Sequence, residues 1–154
     1  MRAVLQRVHR ASVAVDGRVV GEIGTGVLAL VAATHTDTAA QAATIARKIA
    51  EIRLLADDTS IQDHVEDSGD GDGDGEGVRP AVLVVSQFTL YGSTKKGRRP
   101  SWSDAAPGPV AEPLVDLVSA DLRQRGIMVA TGEFGAQMDV SLVNDGPFTL
   151  VIDT

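Results

Sequence analysis

The side chains best suited to chemistry stand together where an apolar run ends. Ser86, Gln87 and Thr89 directly follow the run Ala81–Val85, and Phe88 stands among them. Polar side chains that leave a buried strand and enter a loop can be held rigidly while they still face a ligand. Hydroxyl and amide groups there suit a binding site, and they equally suit simple capping of the strand end. These residues alone leave both interpretations open.

A second candidate group is basic. The sequence has one dense cluster of cations, closely followed by Trp102, and its members are Lys95, Lys96, Arg98 and Arg99. Clustered Lys and Arg residues commonly contact phosphates, but they are also common in solvated loops. Composition does not separate a phosphate-binding loop from a solvated one.

A third segment, Asn144-Asp145-Gly146-Pro147, is built from residue types that favour turns. Only ~5–6% of X–Pro bonds in folded proteins are cis. From composition, the segment is therefore predicted to be an ordinary tight turn between two strands.

Other motifs fail on spacing or on the structure predicted around them. Residues 70–75 alternate Asp and Gly like a calcium loop, but position twelve is Ala81 rather than glutamate. Gly24 and Gly26 match a relaxed dinucleotide fingerprint, yet a strand rather than a helix is predicted to follow. The histidines lie too far apart to form a helical zinc-binding pair; they are His9, His35 and His64. The sequence therefore predicts no metal site and no cofactor.

Composition limits the classes of protein further. The chain has 154 residues, 44% of them hydrophobic, and no cysteine, which fits one domain with a substantial core and excludes thiol nucleophiles and disulfide scaffolds. Its net charge of −7 is concentrated in residues 57–77, which hold nine acids and no Lys or Arg. The remaining 12 acids and 14 basic residues leave the rest at +2, so a polyanionic partner is compatible with it.

Hydropathy indicates no membrane segment. The longest apolar run, Val27–Ala33, is far shorter than the ~18 residues of a spanning helix, and the N-terminal pattern does not fit a signal peptide. We therefore expect a cytoplasmic protein.

These groups must be positioned by strands and two helices. Thr38 and Gln41 form a capping box for a helix at 39–52, and a second helix runs from Pro109 to a glycine cap at Gly126. Alternating or continuous apolar patterns predict strands at 3–8, 12–15, 18–23, 27–33, 81–88, 127–133, 138–143 and 148–152.

Residues 57–79 are too polar and glycine-rich to order themselves by burial, so we expect a surface loop, most acidic at about 66–78. Together the patterns predict one α+β domain over 1–154. Its sheet is curled, barrel-like, mixed and mostly antiparallel, and both helices pack on one face.

The chain resembles the D-aminoacyl-tRNA deacylase family in two signature motifs, Ser86-Gln87-Phe88-Thr89-Leu90 and Asn144-Asp145-Gly146-Pro147-x-Thr149. Further segments match in the family's order, namely Arg7-Val8-x-Arg10-Ala11-Ser12-Val13, Gly21-Glu22-Ile23-Gly24, Arg99-Pro100-Ser101 and Val140-Ser141-Leu142-Val143-Asn144. The resemblance covers nearly the whole chain.

The resemblance implies a homodimeric cytoplasmic enzyme that hydrolyses the ester between a D-amino acid and the 3′ end of tRNA, with glycine mischarged on alanine tRNA as a further substrate. It implies tRNA as the partner, active sites at the subunit interface and no cofactor. The basic cluster would then contact acceptor-stem phosphates.

The resemblance also implies residue roles. Ser86, Gln87 and Thr89 would be the catalytic residues beside the scissile ester, where backbone N–H groups suit a developing oxyanion. Water activation is left open between Thr89, which has no evident base near it in sequence, and the terminal 2′-hydroxyl of the tRNA.

Substrate binding is implied for Phe88 and Phe134. Gly146 and Pro147 would form a cis pair whose carbonyls enter the partner subunit's pocket and reject L-amino acids, and Arg7 would support that pair.

Two other functions compete with this one. A nucleic-acid-binding module without turnover needs neither a cis Gly146–Pro147 bond nor a partner subunit. A small-molecule hydrolase that uses Thr89 or Ser86 should cleave esters that lack RNA.

Overall fold

The computed structural model describes residues 1–67, 79–95 and 97–154, and these residues form six strands and three α-helices. The strands are β1 (Arg2–Val15), β2 (Arg18–Ile23), β3 (Gly26–Ala32), β4 (Ala81–Ser86), β5 (Val129–Thr131) and β6 (Asp139–Asp153). The helices are α1 (Ala39–Glu51), α2 (Ile61–Asp67) and α3 (Gly108–Gln124), with short 3-10 helices at Ala56–Asp58 and Phe88–Tyr91. No helix in these ranges is long and apolar enough to cross a bilayer.

The strands form one sheet in the order β2-β1-β3-β4-β5, and β6 pairs with β1. β1 is antiparallel to β2, β3 and β6, whereas β4 is parallel to both β3 and β5. The first half of β1 pairs with β3 and its second half with β2, while β6 runs along both halves. The predicted mixed, mostly antiparallel sheet is confirmed.

The sheet curls until β2 approaches β5. A Cβ atom at Gly21 would lie 2.5 Å from the carbonyl oxygen of Thr131, so only glycine permits this approach. Apolar side chains fill the space inside the curl, among them Val8, Val13, Leu28 and Leu83. The predicted barrel-like shape is therefore confirmed.

The larger core lies on the opposite face of the sheet, under α1 and α3. It includes Leu5 of β1 together with Ile45 and Ile49 of α1 and Val118 and Leu122 of α3, all fully buried. The capping box at Thr38 is present, and both predicted helices lie within two residues of their expected bounds. Both pack on one face of the sheet, as predicted.

The structure corrects the prediction of only two helices. A third, α2, lies in the stretch that the sequence assigned to a loop, because its Ile61 is fully buried in the helix-side core. Glu66 and Asp67, expected to begin the acidic loop, end this helix. The rest of that loop, residues 68–78, lies outside the described residues.

Strand boundaries also differ from prediction. The expected strands 3–8 and 12–15 are one strand, β1, and 138–143 and 148–152 are joined in β6. Segment 144–147 is therefore not a turn between strands, since β6 keeps pairing with β1 on both sides of it. The expected strand 81–88 ends at Ser86 and is followed by the 3-10 helix 88–91, and strand 127–133 shortens to Val129–Thr131.

Candidate active site

A cavity of about 150 Å³ opens where β3 and β4 end. Because these strands are parallel, with Val31 opposite Ser86, their carboxyl ends meet at the same edge of the sheet. Four residues predicted from the sequence line the cavity, namely Ser86, Gln87, Phe88 and Phe134. The start of α3 and residues 31–33 complete its wall.

Backbone contacts fix the opposite wall. The Ala106 N–H donates to the carbonyl of Ala33 at 2.9 Å, and the Thr34 hydroxyl donates to the carbonyl of Asp104 at 2.7 Å. Both Ala33 and Ala106 line the cavity. The loop before α3 is thus tied to the end of β3.

The predicted catalytic residues stand in one turn of chain. The Gln87 N–H donates to the carbonyl of Val31 at 2.8 Å, and the Gln87 side-chain amide donates to the Thr89 hydroxyl. Within the described ranges, no histidine or carboxylate is hydrogen-bonded to Thr89. A neutral amide cannot take a proton from a hydroxyl at neutral pH, so this arrangement gives Thr89 no general base.

Two backbone donors remain available beside the cavity. Phe88 and Thr89 begin the 3-10 helix, where the first N–H groups have no intrahelical acceptor. Neither N–H is hydrogen-bonded to another residue in the described part of the chain. Fixed donors of this kind can stabilise negative charge on a reacting oxygen.

Gly146 and Pro147 lie apart from this cavity. They are exposed on β6, their peptide bond is cis, and neither lines the cavity of its own chain. The Gln6 side-chain amide donates to Asn144 Oδ1 at 3.1 Å across the β1–β6 pair. The structure does not bring the Gly-Pro pair and the cavity of one chain together.

Arg7 anchors the chain on either side of that pair. Its Nε lies 2.8 Å from Asp145 Oδ2, its Nη1 donates to the carbonyl of Leu54 at 3.1 Å, and its guanidinium lies 3.9 Å from the ring centroid of Phe148. The Arg7 side chain is only 12% exposed. One largely buried cation therefore contacts the residues before and after Gly146–Pro147.

Of the predicted basic cluster, Lys95, Arg98 and Arg99 are exposed, and Lys96 lies outside the described residues. No carboxylate in the described ranges lies within 4 Å of these three cations. Reciprocal hydrogen bonds of 2.8 and 2.9 Å between the backbones of Ser93 and Ser101 close the loop that carries them. Their charge is therefore available to a partner.

Sequence reasoning missed Arg2, which fixes the 3-10 helix. Its guanidinium binds Asp153 at 2.7 Å, donates to the carbonyl of Leu90 at 3.0 Å and lies over Tyr91. The hydrogen bond from Arg2 lowers the pKa of the Asp153 carboxyl, and burial raises the pKa of Tyr91. These partners lie 88 to 151 residues from Arg2, so no local pattern could have revealed them.

The histidines do not meet. His9 Nε2 lies 3.7 Å from Asp145, His35 contacts the carbonyl of Ser103 and His64 contacts Thr59. Among the described residues, no group of three or more His, Asp or Glu side chains is arranged to hold a metal ion.

Comparison with known proteins gives consistent matches. The model of the D-Tyr-tRNA(Tyr) deacylase family matches residues 4–153. A protein of Beutenbergia cavernae named D-aminoacyl-tRNA deacylase is 55% identical over 154 residues, covering 99% of both chains. A protein of the same name from Thermobifida fusca is 54% identical with the same coverage.

Two solved structures share the fold. One named c-Myc DNA Unwinding Element Binding Protein superposes with a TM-score of 0.83 at 32% identity, over 100% of this chain and 99% of that one. Another, of a probable eukaryotic D-amino acid tRNA deacylase, gives a TM-score of 0.81 at 18% identity, over 99% and 98% of the two chains. Because the family model and the relatives span nearly the whole chain, the protein belongs to the D-Tyr-tRNA(Tyr) deacylase family and is a hydrolase.

Proposed function

We propose that this protein hydrolyses the ester between a D-amino acid and the 3′ end of tRNA, and that it also removes glycine mischarged on alanine tRNA. The observation that carries the proposal is the cavity lined by Ser86, Gln87 and Phe88, with the unpaired N–H groups of Phe88 and Thr89 beside it. Those donors suit the oxyanion that forms when water attacks an ester. The enzyme acts in the cytoplasm, where its substrate is made.

The proposed reaction uses water and no cofactor. The water oxygen bonds to the ester carbonyl carbon, the carbonyl oxygen turns toward the two N–H donors, and the bond to the ribose 3′-oxygen breaks. The proton lost by water passes to that 3′-oxygen, which leaves as a hydroxyl. Ser86, Gln87 and Thr89 position the ester, and the adjacent 2′-hydroxyl of the terminal ribose relays the proton because Thr89 has no base.

Selection against L-amino acids is proposed to need a homodimer. Gly146 and Pro147 are exposed and do not line the cavity of their own chain. The cavity that they can reach is therefore that of a partner subunit. β6 also presents exposed apolar side chains beside them, namely Leu142, Phe148 and Val151, which suit an interface. Backbone carbonyls from Gly146 and Pro147 would accept the substrate ammonium and collide with an L side chain.

The direct test is hydrolysis of matched D-tyrosyl-tRNA and L-tyrosyl-tRNA, with glycyl-tRNA on an alanine tRNA as a third substrate. We expect rapid loss of the D-ester and the glycyl ester and persistence of the L-ester. D-tyrosine ethyl ester serves as the control without RNA, and its equal hydrolysis would instead support a small-molecule hydrolase.

The second candidate function is nucleic-acid binding without turnover. The specific observations that favour it are the unneutralised cations and a solved structure, 32% identical, whose printed name is that of a DNA-element-binding protein. Binding of tRNA without hydrolysis of either ester would favour this function over the enzyme.

Charge reversal in the basic cluster is expected to flatten the salt dependence of tRNA binding. Each lost phosphate contact should reduce the slope of log K against log salt by roughly 0.7 to 0.9, so Arg98→Glu with Arg99→Glu should reduce it by roughly 1.5. Arg18→Glu, an exposed change on β2, is the matched control. An unchanged slope in the double variant, measured by anisotropy from low to high salt, contradicts a phosphate-binding role.

A further inference from the structure

We propose that Trp102 and Phe88 form a stacking platform for the unpaired base that precedes the terminal nucleoside of the RNA substrate. The proposal rests on the proposed function and names the part of the tRNA that the protein grips outside the cavity.

The two rings form an exposed aromatic corner. Their centroids lie 5.6 Å apart with an interplanar angle of 79°, and the residues are 55% (Phe88) and 43% (Trp102) exposed. The indole packs on the main chain of Gly92, where an added Cβ would lie 2.5 Å from Trp102 Cζ3. Two large rings are thus held in fixed positions with much of their surface facing solvent.

The corner lies between the cavity and the basic cluster. Phe88 itself lines the cavity, and Trp102 directly follows the loop that is closed by Ser93 and Ser101. That loop carries the unpaired cations described above. Aromatic rings beside cations are the usual means of binding single-stranded nucleic acid, because bases stack on the rings while phosphates meet the charges. The charge identifies the occupant as RNA rather than an apolar protein segment.

The size of the cavity places the unpaired bases of the 3′ end outside it. At about 150 Å³ it is smaller than the roughly 300–1,000 Å³ of pockets that enclose whole small ligands. It can therefore take the aminoacyl group and the ester but not a nucleotide base. The unpaired bases of the 3′ end, including the one before the terminal nucleoside, must then lie at the mouth, where Phe88 and Trp102 stand.

Intrinsic fluorescence tests the platform directly, since Trp102 is the only tryptophan of the chain. The probe is an RNA hairpin with an unpaired four-nucleotide 3′ tail ending in adenosine, compared with the same hairpin abasic at the penultimate position. We expect the intact hairpin to quench Trp102 fluorescence. The abasic hairpin should quench little and bind between about fivefold and a hundredfold more weakly by anisotropy.

Variants separate stacking from a structural role. In Trp102→Leu the loss of affinity caused by the abasic site, here called the abasic penalty, should disappear. Trp102→Phe should keep part of this penalty. Gly92→Ala, which displaces the indole without removing it, should also reduce the penalty. Leu117→Ala removes a comparably exposed apolar side chain from α3 and should change nothing. Thermal melts of each variant identify any that fail to fold.

Equal affinity for the intact and abasic hairpins overturns the platform, and so does an undiminished penalty in folded Trp102→Leu. Hydrolysis of D-tyrosyl-tRNA by the wild type, measured in parallel, keeps the two proposals apart. If the ester is hydrolysed and the abasic site has no effect, the platform fails alone, whereas an intact D-ester refutes the proposed function itself.

Discussion

Replacing the terminal 2′-hydroxyl of D-tyrosyl-tRNA with hydrogen is expected to slow its hydrolysis by roughly 10²- to 10⁴-fold, the usual contribution of general acid–base catalysis. The physical reason is the surroundings of Thr89, whose hydroxyl is paired with the neutral amide of Gln87. With no base there to accept a proton, the proposed mechanism assigns the relay to the ribose. Single-turnover rates for the ribo and 2′-deoxy substrates measure the effect.

Thr89→Ala is expected to have a small effect, between about twofold and tenfold, since one hydrogen bond contributes about 0.5–1.5 kcal/mol. Thr89→Ser keeps the hydroxyl and serves as the matched variant, with nearly full activity expected. Complete loss of activity in Thr89→Ala, together with normal hydrolysis of the 2′-deoxy substrate, would falsify the ribose-assisted mechanism and make Thr89 the nucleophile.

Local sequence patterns predicted the secondary-structure elements that local interactions determine. The capping box at Thr38 and the glycine cap at Gly126 predicted the start of α1 and the end of α3 accurately, because the partners of both caps lie within a few residues. α2 was missed because its stability comes from burial of Ile61 under distant helices, which no local pattern records. β6 was divided in two because turn-forming residue types dominate 144–147, whereas the strand bulges at 145–148 and pairs with β1 on both sides of the bulge.

In the candidate site, too, local contacts were predictable from the sequence and long-range contacts were not. Ser86, Gln87 and Phe88 are adjacent in sequence, so their common position at a strand end was predictable, and family resemblance supplied Phe134. The ion pair of Arg7 with Asp145 joins residues 138 positions apart, and only the antiparallel pairing of β1 with β6 brings them together. The resemblance suggested a supporting role for Arg7, but the carboxylate that it grips could not be read from spacing.

Arg7→Met is the second change expected to have a large effect. Methionine keeps an apolar stem against Phe148 but removes the ion pair with Asp145 and the hydrogen bond to Leu54. Loss of the ion pair and of one charged hydrogen bond should lower the free energy of unfolding by about 1.5–3 kcal/mol, which a urea melt measures. Because small misplacements of a positioning segment cost roughly 100-fold in rate, D-tyrosyl-tRNA hydrolysis should fall by about that factor.

Selectivity separates positioning from simple destabilisation. If Arg7 holds the segment that excludes L side chains, Arg7→Met should lower the ratio of D- to L-ester hydrolysis, and Asp145→Asn should do the same. The double variant should be little worse than either single variant, because both changes remove one interaction. Arg10→Met, an exposed change on the same strand, should leave the ratio unaltered. An unchanged ratio in Arg7→Met, with both rates falling together, would mean that the Arg7–Asp145 pair stabilises the fold without governing chirality.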